Sequence, residues 1–494
     1  MQSEIPVGTG SKTDDPTTRK FLGHPLGLLN LAGVEMWERF SFYGLQAILL
    51  YYLYYSVGDD GLGLSEIAAA SIVGAYGGMV YLSGVLGAWV ADRLLGAERA
   101  LVLSAVVIML GHLSLALVPG VLGLGVGLIL IAAGSGPLSA TTSSILGDMY
   151  DLRDERRDAG FSIYYIGVNI GAFVGPLVTG ALWGMKGFHW GFGAAAIGMA
   201  LGLAQYVLLR RSTIGGTGRE VLNPLSPRGR ARFGAIVAAV VSLVVVLTLL
   251  GVITVGRLSG IVTVLTLAVA VALFAVMLTS PSLSRVEHGR VVAFIPMFIA
   301  SSVFWSMYQQ LFTVLALYAD KRLDLSVFGL EIPPSWVQSI PPIFVIVFAS
   351  VFAAMWTKLG SRQPATPVKF ALGALVIGAA FLLFLPYANG GPGSTPLLWL
   401  VLIMFFFVMA ELLISPVGQS LSTKVAPEAF RTQMVAMWFV SIAVGTSAAG
   451  WLAGFYDVSN EVPYFLSLGG AAVAVGVILL LLRRWIGSRM DGVR

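Results

Sequence analysis

Fourteen apolar stretches, each close to or above the roughly 20 residues a helix needs to cross a bilayer, follow one another along this chain. They span about 26–56, 67–91, 99–119, 121–149, 158–184, 188–209, 232–255, 258–280, 291–319, 336–356, 368–388, 396–423, 430–456 and 462–484. Charged residues make up 11% of the 494, against roughly 25% in a soluble domain. A chain this long and this poor in charge cannot cover itself with a polar surface, so lipid is its main solvent. Inside lipid every backbone N–H and C=O must be satisfied within the protein. The expected class is therefore an all-α membrane protein of about fourteen transmembrane helices.

The loop charges give an orientation. With a cytoplasmic N-terminus, all but five of the 30 Lys and Arg fall on the inner side, among them Arg93, Arg99, Arg153, Arg156, Arg157, Lys358, Arg362 and Lys369. The exceptions are Arg39, within a span, and Lys186, Arg257, Lys321 and Arg322, facing outward. Positive charge gathers on the cytoplasmic side of membrane proteins, which predicts a multi-pass protein of the cell membrane with both termini cytoplasmic. The same topology accounts for the net charge of +5 without a nucleic-acid partner. The polar first twenty residues predict no cleaved signal peptide. Cysteine is absent, and the four histidines (His24, His112, His189, His288) are not at ligand spacing. Thiolate and zinc chemistry are thus disfavoured and no metal site is expected. No nucleophile–base pair or phosphate loop is visible, which argues against an enzyme.

One segment breaks the rhythm of spans. RRSTIGGTGREVLNPLSPRGRAR (210–232) is basic and rich in Gly and Pro, and reads as a linker. Two almost purely aliphatic spans follow, read as a lipid-exposed hairpin. The expected organisation is a polar tail (1–20), a six-helix bundle (21–211), a cytoplasmic linker (212–231), a two-helix insertion (232–282), a second six-helix bundle (283–485) and a tail (486–494). GAWVADRLLGAER (87–99) and MWTKLGSRQ (355–363) echo each other at corresponding loops. Such a six-plus-six repeat resembles the layout of major facilitator transporters, whose sites lie at midplane between the halves. Gly167, Gly171 and Gly175 recur every four residues and let a neighbouring backbone approach. Pro137, Pro176, Pro296, Pro341 and Pro416 are expected to kink their helices.

Charges inside spans mark function, because each costs on the order of 2.5–3.5 kcal/mol at the bilayer centre. Glu35, Glu38 and Arg39 stand at i, i+3 and i+4, on one helix face. Tyr43 and Gln46 extend the polar stripe, which must face protein or a water-filled cavity. Arg39 can pair with Glu35 and leave Glu38 free for another partner or a proton; a structural ion pair is the plainer alternative. Glu411 stands alone in MFFFVMAELLISP, where a carboxyl exchanging a proton as its surroundings alternate between dry and wet couples protons to conformation. A permanently protonated hydrogen-bond donor is its alternative. Asn169 reads equally as interhelical glue or as a ligand contact. Tyr43, Tyr81, Tyr164, Tyr165, Trp305, Tyr308 and Trp438 can line a pocket or simply pack, and His112 reads as structural. Asp92, with Arg93 and Arg99, can cap a helix end and latch onto a neighbour in one conformational state.

These residues fall into recognisable motifs. EMWERFSFYG (35–44) resembles the first-helix ExxERF signature of proton-coupled oligopeptide transporters. GAWVADRLLG (87–96) is similar to that family's loop motif, carried here by Gly87, Asp92, Arg93, Gly96 and Arg99. FSIYYIGVNIGAFVGP (161–176) is similar to its FYxxINxG segment, FWSMYQQ (304–310) to its seventh-helix pattern, and ELLISPVGQSLSTKVAP (411–427) to its tenth-helix segment. The resemblance runs from about residue 21 to 485. It implies a major facilitator fold and uptake of di- and tripeptides, or peptide-like compounds, with inward proton flow by alternating access. It implies proton coupling at Glu35, Glu38, Arg39 and Glu411. The implied peptide site comprises Arg39, Tyr43, Gln46, Tyr81, Tyr165, Asn169, Trp305, Gln309, Glu411, Ser415 and Trp438. The proton gradient is the driving force, no cofactor is implied, the partners are short peptides, protons and the lipid bilayer, and one copy suffices.

Four departures stand against the family pattern. An Arg seven residues beyond the ExxER Arg is here Gln46, and a seventh-helix Glu is Gln309. A fourth-helix Lys before Pro is Gly136, and an eighth-helix Asn before Pro is Pro341. The first two normally form a gate ion pair, and losing both avoids stranding one buried charge; a Gln–Gln hydrogen bond can replace it. The losses leave Arg39 as the sole midplane cation. They keep open a second reading, a transporter or exporter of a non-peptide solute on the same scaffold.

Overall fold

The computed structural model describes residues 20–21, 23–150, 156–221, 223–327 and 329–491. The expected tail over 1–20 lies outside them apart from Lys20, as do Arg153 and residues 492–494. Among the described residues the regular structure is helical apart from three two-residue strand pairs. Its helices are α1 (Leu26–Tyr54), α2 (Glu66–Val90), α3 (Ala97–Leu117), α4 (Gly120–Asp148), α5 (Arg156–Lys186), α6 (Phe188–Thr213), α7 (Pro227–Leu249), α8 (Leu258–Thr279), α9 (Arg285–Tyr308), the short α10 (Val314–Arg322), α11 (Ile340–Leu359), α12 (Thr366–Leu382), α13 (Leu397–Lys424), α14 (Arg431–Leu452) and α15 (Val462–Arg489). Among the described residues thirteen segments are long and apolar enough to cross a membrane. α1 is long enough as well, and its three charges set it apart. Each expected span coincides with one of these fourteen helices to within several residues. Fourteen crossings return the chain to the side where it began, so both ends of the helical core lie on one face, here the terminus face; the other is the distal face.

Some boundaries move for local reasons. α6 runs on to Thr213, and α7 starts earlier than expected, at Pro227, because Ser226 caps it by accepting from the Gly229 N–H at 3.2 Å. Proline at a first helical turn gives up no hydrogen bond. The same holds for Pro341, which opens α11 instead of kinking it, whereas Pro137, Pro176, Pro296 and Pro416 lie inside helices. α9 begins at a capping box between Ser284 and Glu287, and helix extends past 484 to Arg489.

α1 to α6 pack together around α1, which lies against α5 and α6, while α9 and α12 to α15 form a second group. Glycine decides how α1 meets α5. A Cβ at Gly167, Gly171 or Gly175 would strike the α1 backbone at Ala32, at Met36 and Phe40, or at Phe40 and Gly44. Thr179 adds a hydrogen bond to the Gly44 carbonyl at 2.9 Å.

The inserted pair is not uniformly exposed to lipid. α7 buries none of its residues, but α8 buries Ser259, Val262, Thr266, Ala270 and Met277. It packs on α2 and α14 through Ser259–Ser71 (3.1 Å) and Thr266–Ser447 (3.5 Å). These hydroxyls sit every seven residues, an interface signal hidden in an aliphatic run.

At the distal face the two groups close on each other. Gly74 and Gly450 meet backbone to backbone. Trp336 Nε1 donates to the Leu177 carbonyl (3.1 Å), Ser339 Oγ to that of Phe173 (2.8 Å), and Tyr51 OH to that of Ala316 (3.1 Å). Asp320 accepts from Tyr54 and from Tyr55 (2.7 Å), and Lys321 pairs with Glu66. Buried Arg322 pairs with Glu461 at 3.1 Å, and Glu461 also accepts from Tyr456 and the Asn389 N–H.

Candidate functional site

The site starts on α1, where the α5 glycines let the helix sit deep enough to bury its charges. Glu35 and Glu38 are 2% and 1% exposed. Arg39 Nε lies 3.2 Å from Glu35 Oε1 and 2.9 Å from Glu38 Oε2. The expected division, Arg39 with Glu35 and Glu38 free, is replaced by one guanidinium shared between two carboxylates. A one-residue step on a helix leaves neighbouring side chains close enough for both to reach it.

α4 completes the cluster with residues the motif reading passed over. Ser135 donates to Glu38 Oε1, Ser139 to Glu35 Oε1 (2.5 Å) and Thr142 to Glu35 Oε2 (2.8 Å). Arg39 Nη2 donates to Ser139, and Thr142 meets the Tyr164 hydroxyl at 2.9 Å. Positions 135, 139 and 142 follow i, i+4, i+7, one helix face. That spacing was legible in SGPLSATTS, but which helix it faced was not. Hydroxyl donors supply the hydrogen bonds that buried carboxylates require.

α4 also explains one departure. A Cβ at Gly136 would strike the backbone N of Gly84 and the Ser83 hydroxyl, and one at Gly87 would strike Pro137. The two helices touch at Gly136, so no side chain fits at that position.

In the second group, Glu411 on α13 has its Oε2 buried without a hydrogen-bond partner. Tyr43, Tyr81 and Tyr165 lie within electrostatic range of Glu411. Asn169 is 6% exposed, and its Nδ2 donates to the Tyr165 carbonyl at 2.9 Å. Tyr165, although between the two groups, is 45% exposed, so the space around it is open. Trp305 packs edge-on to Tyr308 at 5.5 Å, its indole N–H buried without a partner. Ser415 is half-buried one turn beyond Glu411.

Two expectations come out differently. Gln46 Oε1 is buried without a partner, so the Gln–Gln bond is not made. Trp438 is 2% exposed and packs on Gly418 and Phe370 within the second group. His112 is fully buried with neither ring nitrogen partnered.

In the loop motif, Gly96 has φ +80° and approaches the Arg219 backbone, so it needs glycine twice over. The anchoring charge there is Glu98, which the motif reading overlooked, and not Asp92. Glu98 is 4% exposed and pairs with Arg210 (2.9 Å) and Arg219 (2.8 Å). Asp92 and Arg99 are exposed. Asp92 and Arg93 take part through their carbonyls, which accept from Asn223 and Leu225 at 3.1 Å. The linker is thereby strapped to the α2–α3 turn.

The profile of the POT family (PTR2) matches residues 98–469. The chain is 41% identical over 474 residues to the uncharacterized transporter YclF of Bacillus subtilis (strain 168), covering 96% of each chain. It is 38% identical to a di-/tripeptide transporter of Lactococcus lactis subsp. cremoris, covering 97% of this chain and 99% of the other. A crystal structure of a peptide transporter POT in complex with sulfate superposes with a TM-score of 0.92 at 46% identity, over 96% of this chain and 97% of that one. On the profile and these relatives, the chain belongs to the POT family of transporters.

Proposed function

We propose that this protein is a secondary active transporter of the cell membrane that carries di- and tripeptides or peptide-like compounds inward with protons. The observation that carries the reading is the buried Glu35–Glu38–Arg39 cluster on α1, held by the α4 hydroxyls. Glu35, Glu38 and Glu411 are the proton-exchanging groups. Glu411 and Asn169 hold the peptide amino end, and Tyr43, Tyr81, Tyr165 and Trp305 line the space. Contacts concentrated at the distal face, together with the open surroundings of Tyr165, support a conformation that opens at the terminus face. Concentration of Lys and Arg on the terminus side supports a cytoplasmic placement for both termini, so that this conformation faces inward. One copy of the chain holds every residue named, which supports function as a monomer, and no cofactor beyond the proton gradient is required.

Uptake of labelled dialanine into proteoliposomes tests this, with and without an inward proton gradient. Accumulation driven by the gradient and lost in Glu35→Gln is expected. If folded protein shows no uptake under either condition, the peptide reading fails and the substrate must be sought among non-peptide solutes.

A further inference from the structure

The central space is poor in positive charge. Every other Lys and Arg among the described residues lies in a loop or within two turns of a helix end, which leaves Arg39 at midplane. Arg39 is heavily committed: Nε serves Glu35 and Glu38, Nη2 donates to Ser139, and the guanidinium lies 5.4 Å from the Phe42 ring centroid. A carboxylate arriving there would meet two carboxylates already in place, and like charges repel at such range. No second cation can stand at 136, where α2 and α4 touch, and positions 46 and 309 are neutral.

Acceptors, by contrast, are to spare on both groups. Glu411 Oε2 is buried without a partner. The Asn169 amide donates to the Tyr165 carbonyl, leaving its own oxygen as an acceptor. Tyr43, Tyr81 and Tyr165 add ring faces that attract a cation. The unpartnered Trp305 N–H is a neutral donor, suited to a carbonyl and not to a full negative charge.

We propose that this site recognises its ligand by the amino end and has no requirement for a free carboxyl end, so that it takes cationic peptides, including those whose C-terminus is amidated. The proposal rests on the peptide reading above and narrows it. A site built around a dedicated cation loses affinity sharply when the carboxylate is removed, because a buried charge is then left unpaired. Here no such charge exists to be stranded.

The test measures binding of three ligands to the purified full-length protein by calorimetry: dialanine, dialanine amide and N-acetyl-dialanine. The amide should bind at least as tightly as the free acid, and the acetylated acid should bind about tenfold more weakly or worse. Glu411→Gln, checked for an unchanged melting temperature, should remove the tolerance for the amide. Free acid favoured about tenfold or more over the amide would overturn the proposal and leave the peptide reading standing. Equal binding of the acetylated acid and dialanine would overturn the amino-end anchor. Binding of none of the three to folded protein would overturn both the proposal and the peptide reading.

Discussion

The hydroxyls of α4 decide how the α1 charges behave. Thr142→Ala removes the donor to Glu35 Oε2 and breaks the link to Tyr164. A hydrogen bond to a charged group contributes about 1.5–3 kcal/mol, so proton-driven uptake should fall by about tenfold, and Thr142→Ser should restore it. Uptake unchanged in Thr142→Ala would show the hydroxyl to be idle. At Glu411, substitution by Gln keeps size and hydrogen bonding but removes titration, so the pH dependence of uptake should flatten; an unaltered pH profile would place proton coupling on α1 alone. At this scale the sequence was only partly legible. The acidic residues and Arg39 announced themselves because charge in a span is expensive, but Ser135, Ser139 and Glu98 did not. A serine in a small-residue helix looks like packing until the facing carboxylate is known, and Glu98 looked like one more loop charge.

At the scale of elements, the α1–α5 contact carries the site. Gly171→Ala would drive a methyl group into the α1 backbone beside Arg39. Overpacking of this kind costs about 1–3 kcal/mol, so both melting temperature and uptake should drop. Gly125→Ala, whose added methyl would meet open space, should leave both unchanged. If the two variants behave alike, the close approach of α1 is not what positions the charges. Helix spans were readable because hydropathy and length are local properties of the chain. The burial of α8 against α2 and α14 was not, because Ser259 and Thr266 differ from lipid-facing residues only in what lies opposite them.

At the scale of the whole molecule, distal closure is held by contacts far from the central site. Tyr54 and Tyr55 with Asp320, and Lys321 with Glu66, lie beside a cavity of about 700 Å³ that includes Leu317 and Asp457 in its lining. Removing these polar links should shift the population towards distal opening, and about 1.4 kcal/mol is a tenfold change in that ratio. The native chain has no cysteine, so a single Leu317→Cys reports cleanly. In an Asp320→Asn, Glu66→Gln background, an impermeant thiol reagent added from the distal side should label it several-fold faster. Equal labelling with and without the two substitutions would mean that closure rests on the remaining distal contacts, the approach of Gly74 to Gly450 and the hydrogen bonds of Trp336, Ser339 and Tyr51.

The sequence by itself determined that this chain lives in a membrane, how many times it crosses and which face of α1 carries charge. Those follow from composition, segment length and helical periodicity, which need no knowledge of neighbours. The tertiary structure alone decided that one guanidinium serves two carboxylates, that Gly136 leaves no room for a side chain, that Gln46 Oε1 is left without a partner and that Trp438 packs on Gly418 and Phe370. Each of these depends on which helix lies opposite, and residues that meet across a bundle are far apart in the chain.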